Sequence, residues 1–201
     1  MRKITAWLLV LAGIVLASVA FLLTWLLSTG MTARSAPGPF ETQLGHFARN
    51  AAIPRAARET KNPMAVTPEI LGEARRHFAD HCATCHANDG SGKTEIGQKL
   101  YPPAPDMRLP ETQDLTDGEL YYIIENGVRF TGMPAWGEGG MNDHATWHLV
   151  LFIRHLPHLS EEDKLDMENS NPRSPAEMKE EQEEQNFLNE EPAKPGDPKK
   201  H

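Results

Sequence analysis

The feature that most constrains this chain is a cluster of three reactive side chains within five positions. Cys82 and Cys85 are the only two cysteines among 201 residues, and His86 follows directly. A disulfide would leave the adjacent histidine without a role. A thioredoxin-like dithiol is expected beside a βαβ pattern, and no strand-like run lies near the motif. A zinc site needs about four thiolate or imidazole ligands, which His77 and His81 could help to complete.

The remaining interpretation is a covalently attached haem c. In a Cys-x-x-Cys-His motif the two cysteines form thioethers with the haem vinyl groups, and the histidine binds the iron. Two intervening residues place the two sulfurs on one helical turn, so the adjacent imidazole can point along the haem normal. The sequence therefore predicts one haem c, held by Cys82, Cys85 and His86.

A histidine-bound iron has a second axial position, and Met133 is the predicted ligand for it. This methionine lies in NGVRFTGMPAWGEGG (residues 126–140), a loop punctuated by glycine and proline. Gly132 would let the backbone approach the flat haem face, and Pro134 would stiffen the loop that presents the thioether. The alternatives are an open position or one of several other side chains: Met107, Met141, His144, His148, His155 and His158.

The N-terminal segment contains a long apolar run. Residues 4–27, ITAWLLVLAGIVLASVAFLLTWLL, carry no charge and follow Arg2 and Lys3. At about 1.5 Å per residue, a helix of this length spans a hydrocarbon core of roughly 30 Å. We predict a single transmembrane anchor over residues 1–30, with a cleaved secretory signal as the alternative. The preceding positive charges favour a cytoplasmic N-terminus, which would place the haem domain on the periplasmic side of the inner membrane.

Capping signals predict three helices around the haem motif. Each predicted start has a side chain that can accept a hydrogen bond from the first turn, and glycine or proline marks each predicted stop. The predicted N-caps are Thr67, Thr116, and Asn142 or Asp143, and the predicted stops are Gly127 and Pro157.

Four stretches resemble successive landmarks of a class I monohaem cytochrome c. They are FADHCATCHANDGSGKTEIG, YPPAPDM, LTDGELYYIIENGVRFTGMPAWG and HATWHLVLFIRHL, and the resemblance covers about residues 65 to 159. It implies an all-α fold around one haem, electron transfer rather than enzymatic catalysis, and His86 and Met133 as axial ligands. The anchor, linker and acidic tail of this chain are not part of that family's core.

The resemblance also implies contacts around the haem. A proline carbonyl in the loop of residues 101–105 should accept a hydrogen bond from Nδ1 of His86, and Pro102 and Pro103 both fit. Phe78 should pack against an aromatic side chain of the last helix, Trp147 or Phe152. Candidates for contacting the haem propionates are Trp136, Arg108 and Arg129.

Composition divides the chain into four segments. These are the anchor (1–30), a proline-containing linker (31–66), the cytochrome c domain (67–159) and an acidic tail (160–201). The linker has five basic and two acidic residues. Within it, HFARNAAIPRAARE could form a helical turn or two packed on the domain. If the linker is flexible, its root-mean-square reach is about 30–35 Å. The tail holds 13 acidic and 6 basic residues and few apolar ones, which favours disorder.

The charge of the domain narrows the possible partners. Residues 67–159 hold 13 acidic and 7 basic side chains. This balance excludes nucleic acid as a natural partner and favours redox proteins with basic docking surfaces. We therefore expect a membrane-tethered carrier of single electrons between respiratory or photosynthetic complexes. The alternatives are a fixed haem subunit of a larger oxidoreductase, or a haem sensor or enzyme with an open sixth position.

Overall fold

The computed structural model describes residues 2–29, 32–138, 140, 143–173 and 175–189, so the candidates Met141 and Asn142 lie outside the described residues. Within those ranges the regular elements are helices, with no strand, and the expected all-α class is confirmed. In chain order they are α1 (Arg2–Thr29), α2 (Pro39–Ala52), α3 (Arg55–Glu59), α4 (Pro68–His77), a π-helical turn (Phe78–Cys82), α5 (Ala83–His86), a 3-10 turn (Gly97–Lys99), α6 (Pro110–Gln113), α7 (Asp117–Asn126), α8 (His144–His155), a 3-10 turn (Leu156–His158), α9 (Glu161–Ser170) and α10 (Pro175–Asn189).

The helices that frame the site begin where their capping residues predict. The Thr67 hydroxyl accepts a hydrogen bond from the Ile70 amide at the start of α4. Thr116 and Glu119 form the predicted capping box of α7. The carboxylate of Asp143 accepts from the Ala145 amide and caps α8. These side chains satisfy amides that have no partner within the helix, so each start is fixed by local sequence.

Two aromatic pairs hold the centre of the domain together. Phe78 meets Phe152 with ring centroids 5.2 Å apart, where the first helix of the domain crosses α8, as expected. Tyr121 of α7 stacks on Trp147 of α8 at 4.1 Å. All four rings are almost completely buried. The tyrosine hydroxyl accepts a hydrogen bond from the Asp143 amide, so α7 also positions the start of α8.

The segment that precedes the domain differs from a free linker, because much of it packs on the domain. Ile53 and Ala57 are buried, and α3 lies against α7 so closely that a Cβ added to Gly118 would overlap the carbonyl oxygen of Ala57. The side-chain amide of Asn62 donates through Nδ2 to the carbonyl of Trp147 at 2.9 Å. Residues 53–62 therefore pack on the domain, which is the alternative to a flexible linker in this segment.

The segment that follows the domain also differs from a solvated tail. Ser160 and Asp163 form a capping box that starts α9, and Met167 on this helix has no exposed surface. Arg75 of α4 forms ion pairs with Asp163 and Asp166. Helix α10 is largely exposed, and residues 190–201 lie outside the described residues. The acidic composition therefore does not prevent α9 from packing.

One helix among the described residues, Lys3–Ser28, is long and apolar enough to cross a membrane. Its side chains are exposed in the isolated chain. The helix fits a single-pass anchor, and its length and composition also fit a signal sequence.

Candidate haem site

The cysteine motif lies across a change in helix type. The π-helical turn ends at Cys82, and α5 carries Cys85 and His86. Both thiols are half-buried and neither forms a disulfide. Burial, and to a smaller extent the neighbouring Cys85, raises the pKa of Cys82 to about 12. The protein thus presents two unpaired sulfurs on one helical turn, directly before a histidine.

His86 has the properties of a neutral metal ligand. Its side chain is buried, and desolvation lowers its pKa to about 4, although the Pro105 carbonyl opposes that shift. The ring is therefore neutral at physiological pH and can offer a lone pair. Its Nδ1 is buried and forms no hydrogen bond of good geometry. A haem-ligating histidine donates this second ring N–H to an outer acceptor, so the Pro105 carbonyl fits that role.

The proline facing His86 is thus Pro105 rather than Pro102 or Pro103. Hydrogen bonds draw the end of this loop back over the motif, because the Ala104 amide donates to Gly97 and the Met107 amide donates to Gly90, at 2.9 and 2.8 Å. Three prolines within four positions offer no sequence signal for choosing among them. The backbone contacts that select one become visible only in the folded chain.

Met107 and Met133 occupy different environments. Met107 belongs to the core, and its carbonyl accepts a hydrogen bond from the Gln113 amide group. Met133 is half-buried in the loop after α7, where its carbonyl accepts from the Val128 amide and its own amide donates to the Thr131 hydroxyl, both at 3.1 Å. Met107 therefore has a packing role, while the loop leaves the Met133 thioether free of the main core.

The loop that carries Met133 meets the proline loop. Gly127 ends α7 with a φ of 63°, a conformation that favours glycine, and its Cα lies against Pro134. Gly132 approaches the other loop so closely that a Cβ would lie 2.6 Å from Cδ2 of Leu100. The Met133 loop therefore lies against Leu100, the residue that precedes the proline loop, whereas Gly127 is needed for a turn within the Met133 loop itself.

Other predicted contacts near the haem have different partners. Arg108 forms ion pairs with Asp89 at 2.9 Å and Asp106 at 2.7 Å, which leaves it poorly suited to contact a propionate. Trp136 is partly exposed and packs edge-on against His81, with centroids 5.6 Å apart. Arg129 is exposed.

The histidine candidates for the second axial position, and the zinc interpretation, fit the structure less well. His148 lies 3.6 Å from Glu73, and His155 lies 3.9 Å from Asp163, so both face carboxylates on other helices. In the part of the chain that the structure describes, no three His, Cys, Asp or Glu side chains are grouped to hold a metal ion, as the zinc interpretation would require.

Comparison with known families agrees with this geometry. Residues 71–153 match the family model described as "Cytochrome C oxidase, cbb3-type, subunit III". The matched region contains the cysteine motif, both loops and most of α8, and the match supports a class I c-type cytochrome domain. Such a domain implies haem c and haem-based electron transfer. No curated protein gave a match to the chain.

Proposed function

We propose that the protein is a membrane-anchored c-type cytochrome that carries single electrons through one haem c. Cys82 and Cys85 would hold the haem, and His86 and Met133 would bind its iron. The observation that carries the proposal is the buried, neutral imidazole of His86 directly after two unpaired thiols, with Nδ1 lacking a full hydrogen bond. When bound, the haem supplies a one-electron iron couple whose potential depends on its axial ligands and its burial.

The side chains of the protein determine how the two axial ligands of that iron couple are held. His86 is held on α5 by the helix backbone, and the Pro105 carbonyl can orient its ring by accepting from Nδ1. Met133 is presented by a loop whose backbone is fixed at Val128 and Thr131. A thioether is a weaker donor than a second imidazole, so this ligand pair raises the potential relative to two histidines.

Matched methionine variants test the ligand assignment. Met133→Ala should leave the haem covalently attached, shift the optical spectrum toward the high-spin form and lower the potential. Met107→Ala should keep the spectrum and potential of the unmodified protein, while destabilising the fold by about 2–5 kcal/mol because a core side chain is lost. The opposite pattern would make Met107 the ligand. A high-spin spectrum and rapid carbon monoxide binding in the unmodified protein would favour the sensor or enzyme.

We further propose that α1 remains as the anchor, with the haem domain in the periplasm. Its length and composition support the span, and the positive charges before it support the orientation. The acidic domain supports partners with basic docking surfaces. Their electron-transfer rates with this protein should fall as salt screens the attraction.

The packing of the linker limits how far the domain can travel. Only nine residues separate the end of α1 at Thr29 from the start of α2 at Pro39. A flexible segment of that length has a root-mean-square reach of about 15–18 Å, roughly half of what the whole linker would allow. Such a short tether limits exchange between distant complexes.

This short tether favours a second candidate function, a fixed haem subunit of a larger oxidoreductase. The matched family is described as an oxidase subunit, which supports the same possibility. Purification in mild detergent separates the two candidates. Constant stoichiometry with one complex, unchanged in high salt, would support the subunit, whereas recovery as a single chain would support the carrier.

A further inference from the structure

Helix α2 exposes a row of apolar side chains on one face. Phe40, Leu44 and Phe47 are 78%, 54% and 71% exposed. Their spacing of four and then three residues places them on one side of an α-helix. Isolated apolar side chains on a surface are ordinary, but three in register on a 14-residue helix form a stripe that water covers poorly.

The opposite side of α2 is attached to the haem domain. Thr42 and Arg49 lie about half a turn away from the stripe, at 100° per residue, and both are half-buried. Burial lowers the pKa of Arg49, and Glu119 of α7 opposes that shift, which places the guanidinium beside the domain. The Tyr101 hydroxyl donates to the Glu41 carboxylate at 2.6 Å. The half-buried side of α2 therefore faces the domain, and the exposed stripe points away from it.

Two observations indicate what covers the stripe. The first is position, because the nine residues after α1 span at most about 30–35 Å even when fully extended. If α1 crosses a membrane, α2 therefore begins near the surface of that membrane. The second is charge, because Arg34 is the one charged side chain in the nine residues between α1 and α2, and the domain beyond them has an acidic excess. A basic segment next to a bilayer is attracted to anionic lipid.

We propose that α2 lies in the interface of the membrane that holds α1, with Phe40, Leu44 and Phe47 inserted at the boundary between headgroups and acyl chains. The helix has the features of an interfacial anchor: an apolar face, a polar face with an arginine, and low overall hydrophobicity. The proposal rests on the proposed role of α1 as a retained anchor. Its consequence is that the contact from Glu41 to Tyr101 holds the haem domain at one orientation and height above the bilayer.

Photocrosslinking in the full haem-loaded chain tests this proposal. The protein is reconstituted in nanodiscs of phosphatidylcholine with and without phosphatidylglycerol, with a benzophenone amino acid at Leu44 in the stripe. The matched control carries the same probe at His46, which is exposed on the same helix but points well away from the stripe. We expect several-fold more lipid adduct at position 44 than at position 46, detected by mass spectrometry of the α2 peptide. The excess should increase when anionic lipid is present.

Each contrary outcome has a distinct meaning. Equal lipid adducts at both positions, or no adduct at position 44, would overturn the interfacial placement. Adducts from position 44 to a second copy of the chain, or to another subunit in native membranes, would assign the stripe to a protein contact instead. If the chain keeps residues 2–29 and resists alkaline extraction from membranes, α1 is still an anchor. The crosslinking results then overturn only the placement of α2. Loss of residues 2–29 in the mature protein would overturn the anchor and, with it, the placement of α2.

Discussion

The two segments that flank the haem domain pack on it by different means. The N-terminal flank (residues 53–62) approaches α7 through its backbone, with the Ala57 carbonyl set against Gly118. The C-terminal flank (residues 160–170) docks through one fully buried side chain, Met167, and through ion pairs from Arg75. The contact at Gly118 leaves no space for a side chain. The contact of α9 depends instead on the Met167 side chain and on charged groups that are already present.

This difference determines how each flank responds to mutation. A backbone contact across a glycine contributes little burial of its own but tolerates no side chain there. A single buried methionine supplies much of the apolar contact of an otherwise acidic helix. We therefore expect the N-terminal contact to be sensitive to volume added at Gly118 and the C-terminal contact to be sensitive to volume lost at Met167.

The largest effect should come from Met167→Ala. Removing a completely buried methionine costs about 2–5 kcal/mol, from lost burial and from the cavity that remains. Leu165→Ala is the matched control on the same helix, because Leu165 is largely exposed and should change stability little. Urea unfolding of the haem-loaded protein gives both values. Similar losses for the two variants would mean that α9 does not dock through Met167.

A smaller loss is expected from Gly118→Ala. Alanine favours the interior of a helix, but here its Cβ would overlap the Ala57 carbonyl, and such overpacking costs about 1–3 kcal/mol. Gly72→Ala in α4 is the control, because its Cβ would meet only the end of the Arg76 side chain at 3.6 Å.

The control should be stabilised by up to about 1 kcal/mol through helix propensity alone. The same thermal or urea unfolding experiment measures both glycine variants. If Gly118→Ala is stabilised as much as Gly72→Ala, α3 is not held against α7 in solution.

Local signals in the sequence predicted the frame of the domain. Thr67, Thr116, Asp143 and Gly127 act at helix ends through their own side chains or backbone freedom, so the neighbouring residues are enough to predict them. The class of the domain followed from the cysteine motif and the landmarks around it, and the family match confirms it. The ligand role of Met133 stays a prediction.

The packing of the flanks had no comparable local signal. Ile53, Ala57 and Met167 are single apolar residues in segments whose composition is basic or acidic, and no period marks them as buried. Their burial depends on surfaces of α4, α7 and α8 that are distant in sequence. The choice of Pro105 over its neighbours has the same cause, since backbone hydrogen bonds from Ala104 and Met107 determine where that carbonyl lies.

The smallest expected effect is a pH dependence of the C-terminal flank. Burial opposes ionisation of Asp163, but hydrogen bonds from Ser160 and the charge of Arg75 outweigh it and lower the pKa of this carboxyl. A carboxyl whose pKa is lower in the folded protein stabilises the fold above its unfolded value of about 3.9. That stabilisation is lost as the pH falls through the folded pKa.

Asp163→Asn removes this carboxyl and leaves the other titrating groups in place. The two charged neighbours whose surroundings change are Arg75 and His155, which lies 3.9 Å away. Urea midpoints of the unmodified protein should exceed those of the variant near pH 6, where Asp163 is ionised. The difference should shrink below about pH 4 as the carboxyl protonates. Because the ion pairs of the C-terminal flank are partly exposed, the gap should be smaller than the Met167→Ala effect. A constant gap from pH 6 to below 4 would show that the Asp163 charge does not hold α9, and would leave Met167 and the Arg75–Asp166 ion pair to dock this flank.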